Sequence, residues 1–419
     1  AKLQKMLGVI RELIKSKGPI TVAEYFKLAL THPEHGYYMN KDVFGVKGDF
    51  TTSPEISQMF GELIAVWIAN EHAESRDPRP LHLVELGPGR GTLASDVTRV
   101  ATKLPQLRSA LSGRLFLLEV SPAMRAIQRR VLLSGRPSDA LNSDDTTESS
   151  SPTSVNNDNW REFETANGFR ASWLDSLEQL SSQADGPCCF LAHEFLDALP
   201  VHKLERLPSG EWREVLIDVC SNAGLKYRLS DSPPPSDLLA CIRSNETRRH
   251  IEVSPMSGDF VDQLARHVTS QGAGFALLAD YGYDVANPDE LKTDTLRGFR
   301  KHRVRDPLLD PGESDLTADV DFDYLKRRIA RLGLPGLAVF GPSPQRAFLL
   351  QMGIAARLSA LMSSSSASSE TRRNHLSAAR TLLESMGQRF KFLCISGSPG
   401  RLLPGCQAPP GFLPETKFT

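Results

Sequence analysis

Four acidic positions and a run of alternate glycines stand where this chain could do chemistry. Glu85 precedes Gly87, Gly89 and Gly91 in LHLVELGPGRGTL (81–93), and Glu119, the His193-Glu194 pair and Asp280 each close a short apolar run. Glycines lacking a Cβ let backbone come close to a bound molecule, and a helix opening after the turn offers unpaired N–H groups and a positive dipole end. A phosphate-gripping loop needs Lys followed by Ser or Thr after its second glycine, and none stands here. The dinucleotide fingerprint needs G-x-G-x-x-G, whereas this turn reads Gly87-Pro88-Gly89-Arg90-Gly91. A tight strand-to-helix turn that holds no ligand stays open as the plain alternative.

The acids suggest distinct tasks. Glu119, ending RLFLLEV (114–120), suits a bidentate carboxylate accepting two ribose hydroxyls, with a solvated or capping glutamate as the other reading. Trp173 and Asp175 end a short strand pattern and could stack on an adenine and accept from its amine; a core tryptophan beside a surface aspartate fits equally well. PCCFLA (187–192) delivers HEFLDALP, so His193, Glu194 and Asp197 crowd the carboxyl end of a strand, where open α/β sheets place their chemistry. Asp49, Thr52, Ser53 and Glu55 could stand at a helix mouth facing the ligand, although capping alone would account for Ser53 and Glu55.

The elements that must position these groups follow from periodicity. Buried strands are expected at 81–86, 114–120, 187–192 and 274–283, and Leu93, Val97, Val100 and Leu104 recur at helical spacing until Pro105. Acids at four equivalent strand ends imply a polar crevice along one edge of a mostly parallel sheet. Helices are expected over 2–17, over 21–30 with Thr21 as N-cap and Glu24 three residues on, and from Ser53 to near His72 with Ile56, Met59, Phe60, Leu63, Ile64 and Trp67 on one face. Further helices fall at 257–269, 321–332, 344–361 and 370–386, before a last strand, KFLCIS. Alternation over 201–230 predicts antiparallel strands in an inserted subdomain lying over the site. The stretch TLRGFRKHRVRDPLLDPGESDLTADVDF reads as loop. Its five Arg or Lys between Arg297 and Arg305 are either a solvated face or a basic grip beside the cleft for an acidic target.

Composition narrows the classes. With 419 residues, 40% apolar, the chain can bury a large core, and a net charge of −1 with pI near 6.9 argues against a bulk electrostatic grip on nucleic acid or anionic lipid. Six cysteines, none in C-x-x-C spacing, predict a reducing compartment and no metal site. No apolar run approaches the ~18 residues a bilayer span needs, and the first residues read as an amphipathic helix of the fold rather than a presequence. Two low-complexity tracts, 134–159 and 362–371, interrupt the pattern. The expected organisation is an N-terminal helical or lid segment (1–78), a ligand-binding core (79–200), an inserted β-rich subdomain (201–256), and the rest of the core with substrate-side loops (257–419).

The glycine turn with its acid, E-x-G-x-G-x-G, resembles the first motif of S-adenosyl-L-methionine (SAM) methyltransferases. Taken in order, GDFTTSPEIS, VELGPGRGTL, HEFLDALPVH, DYGY and DPGESDLTADVDF resemble the MidA family of these enzymes, over nearly the whole chain apart from the serine-rich tracts. The family commonly has Asn where this chain has His193. The resemblance implies a Rossmann-like class I methyltransferase fold of α/β class and SAM bound by Gly87, Gly89 and Gly91 with Glu119 on the ribose. Glu85, Ser53, Trp173, Asp175 and His193 are the further candidate contacts. Mitochondrial members are protein arginine methyltransferases needed to assemble respiratory complex I, which implies a matrix location and a complex I core subunit as the protein substrate. A guanidinium is always charged and a poor nucleophile, so carboxylates must orient it. Glu194 is the candidate bidentate partner, with Asp197 or Asp49 assisting. A non-catalytic assembly chaperone that keeps a SAM pocket and a nicotinamide oxidoreductase are the rival readings; the oligomeric state, monomer or homodimer, stays open.

Overall fold

Leu81–Leu86 is buried along its whole length, as a strand covered on both faces must be. It pairs in parallel with Leu111–Leu118 on one side and Cys188–His193 on the other, and Arg170–Leu174 and Phe275–Tyr283 join beyond them, also parallel. In chain order these five strands lie 3-2-1-4-5, the doubly wound arrangement whose switch point falls between Leu81–Leu86 and Cys188–His193. Antiparallel Phe390–Ser396 and Ala338–Pro344 extend the sheet past Phe275–Tyr283, and Glu162–Glu164 closes the opposite edge. This is the expected α/β, Rossmann-like architecture. The computed structural model describes residues 2–39, 51–135, 162–221, 224–285, 290–365, 367–398, 401 and 407–414; Asp49 and the tract 136–159 lie outside them.

Two cores sandwich the sheet. Helices Gln58–Ser75 and Thr92–Ala101 pack on one face, and Pro255–Ser270 and Phe322–Arg331 on the other. Adjacent Cys188 and Cys189 fall into opposite cores, as strand alternation demands.

A second layer covers the carboxyl ends of the parallel strands. His202–Arg206, Trp212–Val219, Leu225–Leu229 and His250–Val253 form an antiparallel sheet, to whose edge Ile20–Thr21 adds. Helices Lys2–Lys17 and Val22–Thr31 share one apolar cluster with that sheet: Met6, Ile10, Tyr25 and Phe26 meet Val201 and Ile217. The N-terminal segment and the insertion therefore pack as one layer. Thr21 forms a full capping box with Glu24, as the S/T-x-x-E pattern requires.

Several local readings differ from the sequence. The helix expected from Ser53 is a single turn, Ser53–Ile56, whose Glu55 and Ile56 N–H groups donate to the Thr52 carbonyl with no side-chain cap; Ser57 then starts Gln58–Ser75 by accepting from the Met59 N–H. The span 344–361 breaks at Gly353, with φ of +86°, into Gln345–Gln351 and Ile354–Met362, and the helix expected over 370–386 is Ser369–Arg380 followed by a wider turn at Thr381–Ser385. The supposed loop at 295–322 holds a three-stranded sheet of Arg303–Arg305, Arg297–Arg300 and Asp315–Thr317. Its hairpin turns at Lys301 and His302, both at positive φ (51° and 57°) without the Gly or Asn that usually signals such a turn.

Candidate functional site

Register brings the strand ends together. Leu86 is opposite both Leu118 and Ala192, and His193 is opposite Ala279, so Gly87 and Glu119 leave the sheet at one level and Glu194 leaves it one residue on, beside Asp280, which still lies within Phe275–Tyr283. The glycine turn holds φ of +60°, +53° and +84° at Gly87, Gly89 and Gly91. A Cβ on Gly87 would stand 2.7 Å from the Phe195 ring, so the turn touches the segment after Cys188–His193 across the switch point. A cavity of about 820 Å³ opens here, within the range of small-molecule sites. Gly87, Gly89, Leu118, Glu119, Asp175, Leu177 and Phe195 line one part; Glu194, Asp197, Tyr281, Arg297, Phe299 and Asp315 line another; Leu30, Tyr38 and Met39 come from the N-terminal layer.

Glu119 is built to accept. Its Oε1 takes the Ser121 N–H at 2.8 Å and its Oε2 takes Gln128 Nε2 at 3.0 Å. Burial raises its pKa, and those donors work against the rise. Gln128 is fully buried and tied off: Nε2 also donates to the Gly89 carbonyl at 2.8 Å, and Oε1 accepts from the Trp173 indole at 2.8 Å. One carboxamide thus fixes the glycine turn and the strand-end acid together. Arg125 braces the next strand end by donating to the Glu119 carbonyl and, at 2.6 Å, to Asp175 Oδ1.

The second part of the cavity is shaped by Asp280. Its Oδ2 accepts the backbone N–H groups of Phe195, Leu196 and Asp197 at 3.1, 2.8 and 3.2 Å. That grip folds the chain back directly after Glu194, which sits at φ +51°, an uncommon conformation for a residue with a side chain. The Glu194 side chain is about 10% exposed, and its Oε1 has no hydrogen-bond partner among the described residues, with His193 Nδ1 3.8 Å away. Burial, then Asp197, Asp280, Glu55 and Asp315, push its pKa well above the usual carboxylate range. Asp197 is raised to about 7 by burial, with Arg297 pulling it back down. A cation entering here would meet two carboxyl groups poised to ionise against it.

Six of the residues named from sequence therefore share the cavity wall: Gly87, Gly89, Glu119, Asp175, Glu194 and Asp197. The others serve behind it. Gly91 caps Thr92–Ala101 and packs on Gln128. Glu85 is buried and accepts the Ala94 N–H in the first turn of that helix, with its pKa raised to about 8. Trp173 does not stack in the cavity: it is a core residue against Phe163 whose indole is spent on Gln128, and Asp175 is exposed because it follows Leu174, the last residue of the strand. Ser53 is fully buried, 3.3 Å from Gln345 Oε1, since the break at Ser57 turns the Ser53–Ile56 turn into the core. His193 lies between Phe390, stacked at 5.7 Å, and the edge of Phe60, and burial lowers it to about 3, so it is a neutral packing group. Gln128, Arg125, Arg297 and Asp315 escaped sequence reasoning. Nothing local marks a buried Gln in an amphipathic helix, and Arg297 was one of a basic run.

The wall fits SAM by its own chemistry. It combines a backbone turn open to close approach, a strand-end carboxylate, apolar Leu118, Leu177 and Phe195 nearby, and an acidic end for the group to be modified. Comparison with known proteins agrees. A family model described as S-adenosyl-L-methionine-dependent methyltransferase matches residues 63–341. The mitochondrial protein arginine methyltransferase NDUFAF7 of Mus musculus is 40% identical over 393 residues, 93% of this chain and 84% of its own. The Drosophila melanogaster homologue is 41% identical over 393 residues, 92% and 83% of the two chains. A crystal structure from Burkholderia thailandensis bound to S-adenosyl-homocysteine superposes with a TM-score of 0.74 at 22% identity, covering 95% of this chain and 93% of that one, and shows the shared fold. The chain belongs to this family of S-adenosyl-L-methionine-dependent methyltransferases.

Proposed function

We propose that this enzyme methylates an arginine of a complex I core subunit during assembly of that complex in the mitochondrial matrix. The observation that carries the reading is the pairing, in one cavity, of the glycine turn and Glu119 with the acids Glu194 and Asp197. The mitochondrial protein arginine methyltransferases to which the chain is about 40% identical support the arginine target and the compartment. Among the described residues no helix is long and apolar enough to cross a membrane.

Bound SAM supplies an electrophilic methyl group on a positive sulfonium. Glu119 accepts the ribose hydroxyls, and Gly87 and Gly89 give backbone room beside them. Glu194 takes the guanidinium through two parallel N–H···O bonds, which align its plane and hold its charge on the nitrogens that do not react. Asp197 adds a second negative charge once the cation arrives. Tyr281 and Phe299 wall the cavity beside these acids and exclude water.

The test is incubation of the purified chain with labelled SAM and unassembled complex I subunits, followed by acid hydrolysis and chromatography. Label in methylarginine supports the reading. Label in another amino acid, or SAM binding with no transfer to any subunit, overturns it.

A further inference from the structure

The basic stretch that the catalytic reading leaves unused is the outer wall of the cavity. In the three-stranded sheet, Arg297 is opposite Thr317 and Phe299 opposite Asp315, and all four line the cavity. Phe299 is also opposite Val304, and directly paired residues share a face, so Val304 continues the cavity-side face outward. Val304 is 64% exposed, the most exposed large apolar residue described. The pairs Gly298↔Arg305 and Arg300↔Arg303 put Arg303 and Arg305 on the reverse face, both exposed. Arg303–Arg305 is an edge strand, with no further strand beside it among the described residues. Charged side chains commonly guard such edges against aggregation. That habit does not account for an exposed valine continuing the wall of a cavity.

We propose that this edge is the docking strand for the protein substrate, which adds as an extended segment beside Arg303–Arg305 and sends its target side chain past Phe299 to Glu194. The inference rests on the arginine reading above and names the sequence class that the enzyme takes. Strand addition gives main-chain hydrogen bonds without sequence preference, and alternation then dictates the pattern. Residues on the target's face meet Val304 and Phe299 and are apolar. Residues between them lie with Arg303 and Arg305 and are acidic.

Two nine-residue peptides with a central arginine, apolar residues on its face and either Asp or Lys at the alternating positions serve as probes for the full-length chain. Methyl transfer is followed by labelled SAM, and binding by fluorescence anisotropy with S-adenosyl-homocysteine present. The Asp peptide is expected to have the lower KM, and the R303E/R305E double variant to raise its KM about ten-fold while reversing the preference. The variant's kcat and S-adenosyl-homocysteine affinity should not move, because neither residue lines the cavity. Equal KM values for the two peptides, or a double variant indistinguishable from wild type, overturns the docking strand. Failure of the arginine reading looks different: neither peptide is methylated, yet the Asp peptide still binds in a manner that needs Arg303 and Arg305.

Discussion

Replacing Glu85 by Gln asks whether the first acid of the glycine motif acts as an anion on the ligand or as a buried neutral group behind it. One carboxyl oxygen accepts the Ala94 N–H, Oε2 has no partner among the described residues, and burial raises the pKa from 4.5 to about 8. The folded value lies above the unfolded one, so between pH 4.5 and 8 the folded chain keeps a proton that the unfolded chain has lost. Stability from this group therefore falls as pH rises through that window and levels off above it. At ~1.4 kcal/mol per pH unit, the cost is roughly 1 kcal/mol at about pH 5, roughly 3 at about pH 7 and at most roughly 5 at about pH 8.5. Gln keeps the acceptor for Ala94 and has no charge to bury. Urea denaturation should show Glu85→Gln close to wild type near pH 4 and more stable by a margin that grows with pH toward those limits. Calorimetry at neutral pH should find S-adenosyl-homocysteine affinity within about three-fold, since burial behind the turn keeps the carboxyl group from the ligand. A variant less stable than wild type at alkaline pH, or one that loses ten-fold or more (~1.4 kcal/mol) in affinity, would refute the reasoning and make Glu85 a charged ligand.

Glu194→Gln should keep S-adenosyl-homocysteine affinity and lose methyl transfer by ~100-fold or more, as removal of a bidentate charged partner implies; unchanged turnover removes Glu194 from the mechanism. Asp197, raised to about 7, and Glu194, raised well above the usual carboxylate range by burial and its acidic neighbours, must release protons to hold a cation. The KM for an arginine substrate should therefore climb as pH falls below 7, and a flat profile from pH 6 to 8 would contradict that coupling. Gln128→Leu removes the donor that orients Glu119 Oε2. Its signature is a smaller affinity gap between S-adenosyl-homocysteine and its 2′-deoxy analogue, and a uniform loss for both ligands would assign Gln128 to the fold alone. Gly87→Ala drives a Cβ into Phe195 at positive φ; a loss of ~1–3 kcal/mol in stability with weakened binding is expected, and a neutral variant would show that the turn has slack.

The local alphabet determined the parallel sheet and its glycine turn. Four apolar runs of strand length, each closed by an acid, fit a parallel sheet covered by helices on both faces, and such a sheet places its ligand at the carboxyl ends whatever the loops do. Glu119, Glu194 and Asp197 were legible for that reason, and the motif order carried the family. What tertiary structure alone decided was which acids face the cavity. Glu85 lies two residues short of Glu119 in register and Asp280 lies within Phe275–Tyr283; one turns to a helix N–H and the Oδ2 of the other gathers three backbone N–H groups, because those donors had to be satisfied once buried. Trp173 and His193 went to the core because pleat and packing, invisible in spacing, turned them inward. Gln128 and the 297–317 sheet were hidden for a related reason: two of the three partners that tie off Gln128 lie 39 and 45 residues away, and the sheet rests on a turn with no glycine to announce it. Sequence records each residue's capacity to bond, and only the assembled chain decides which partner arrives.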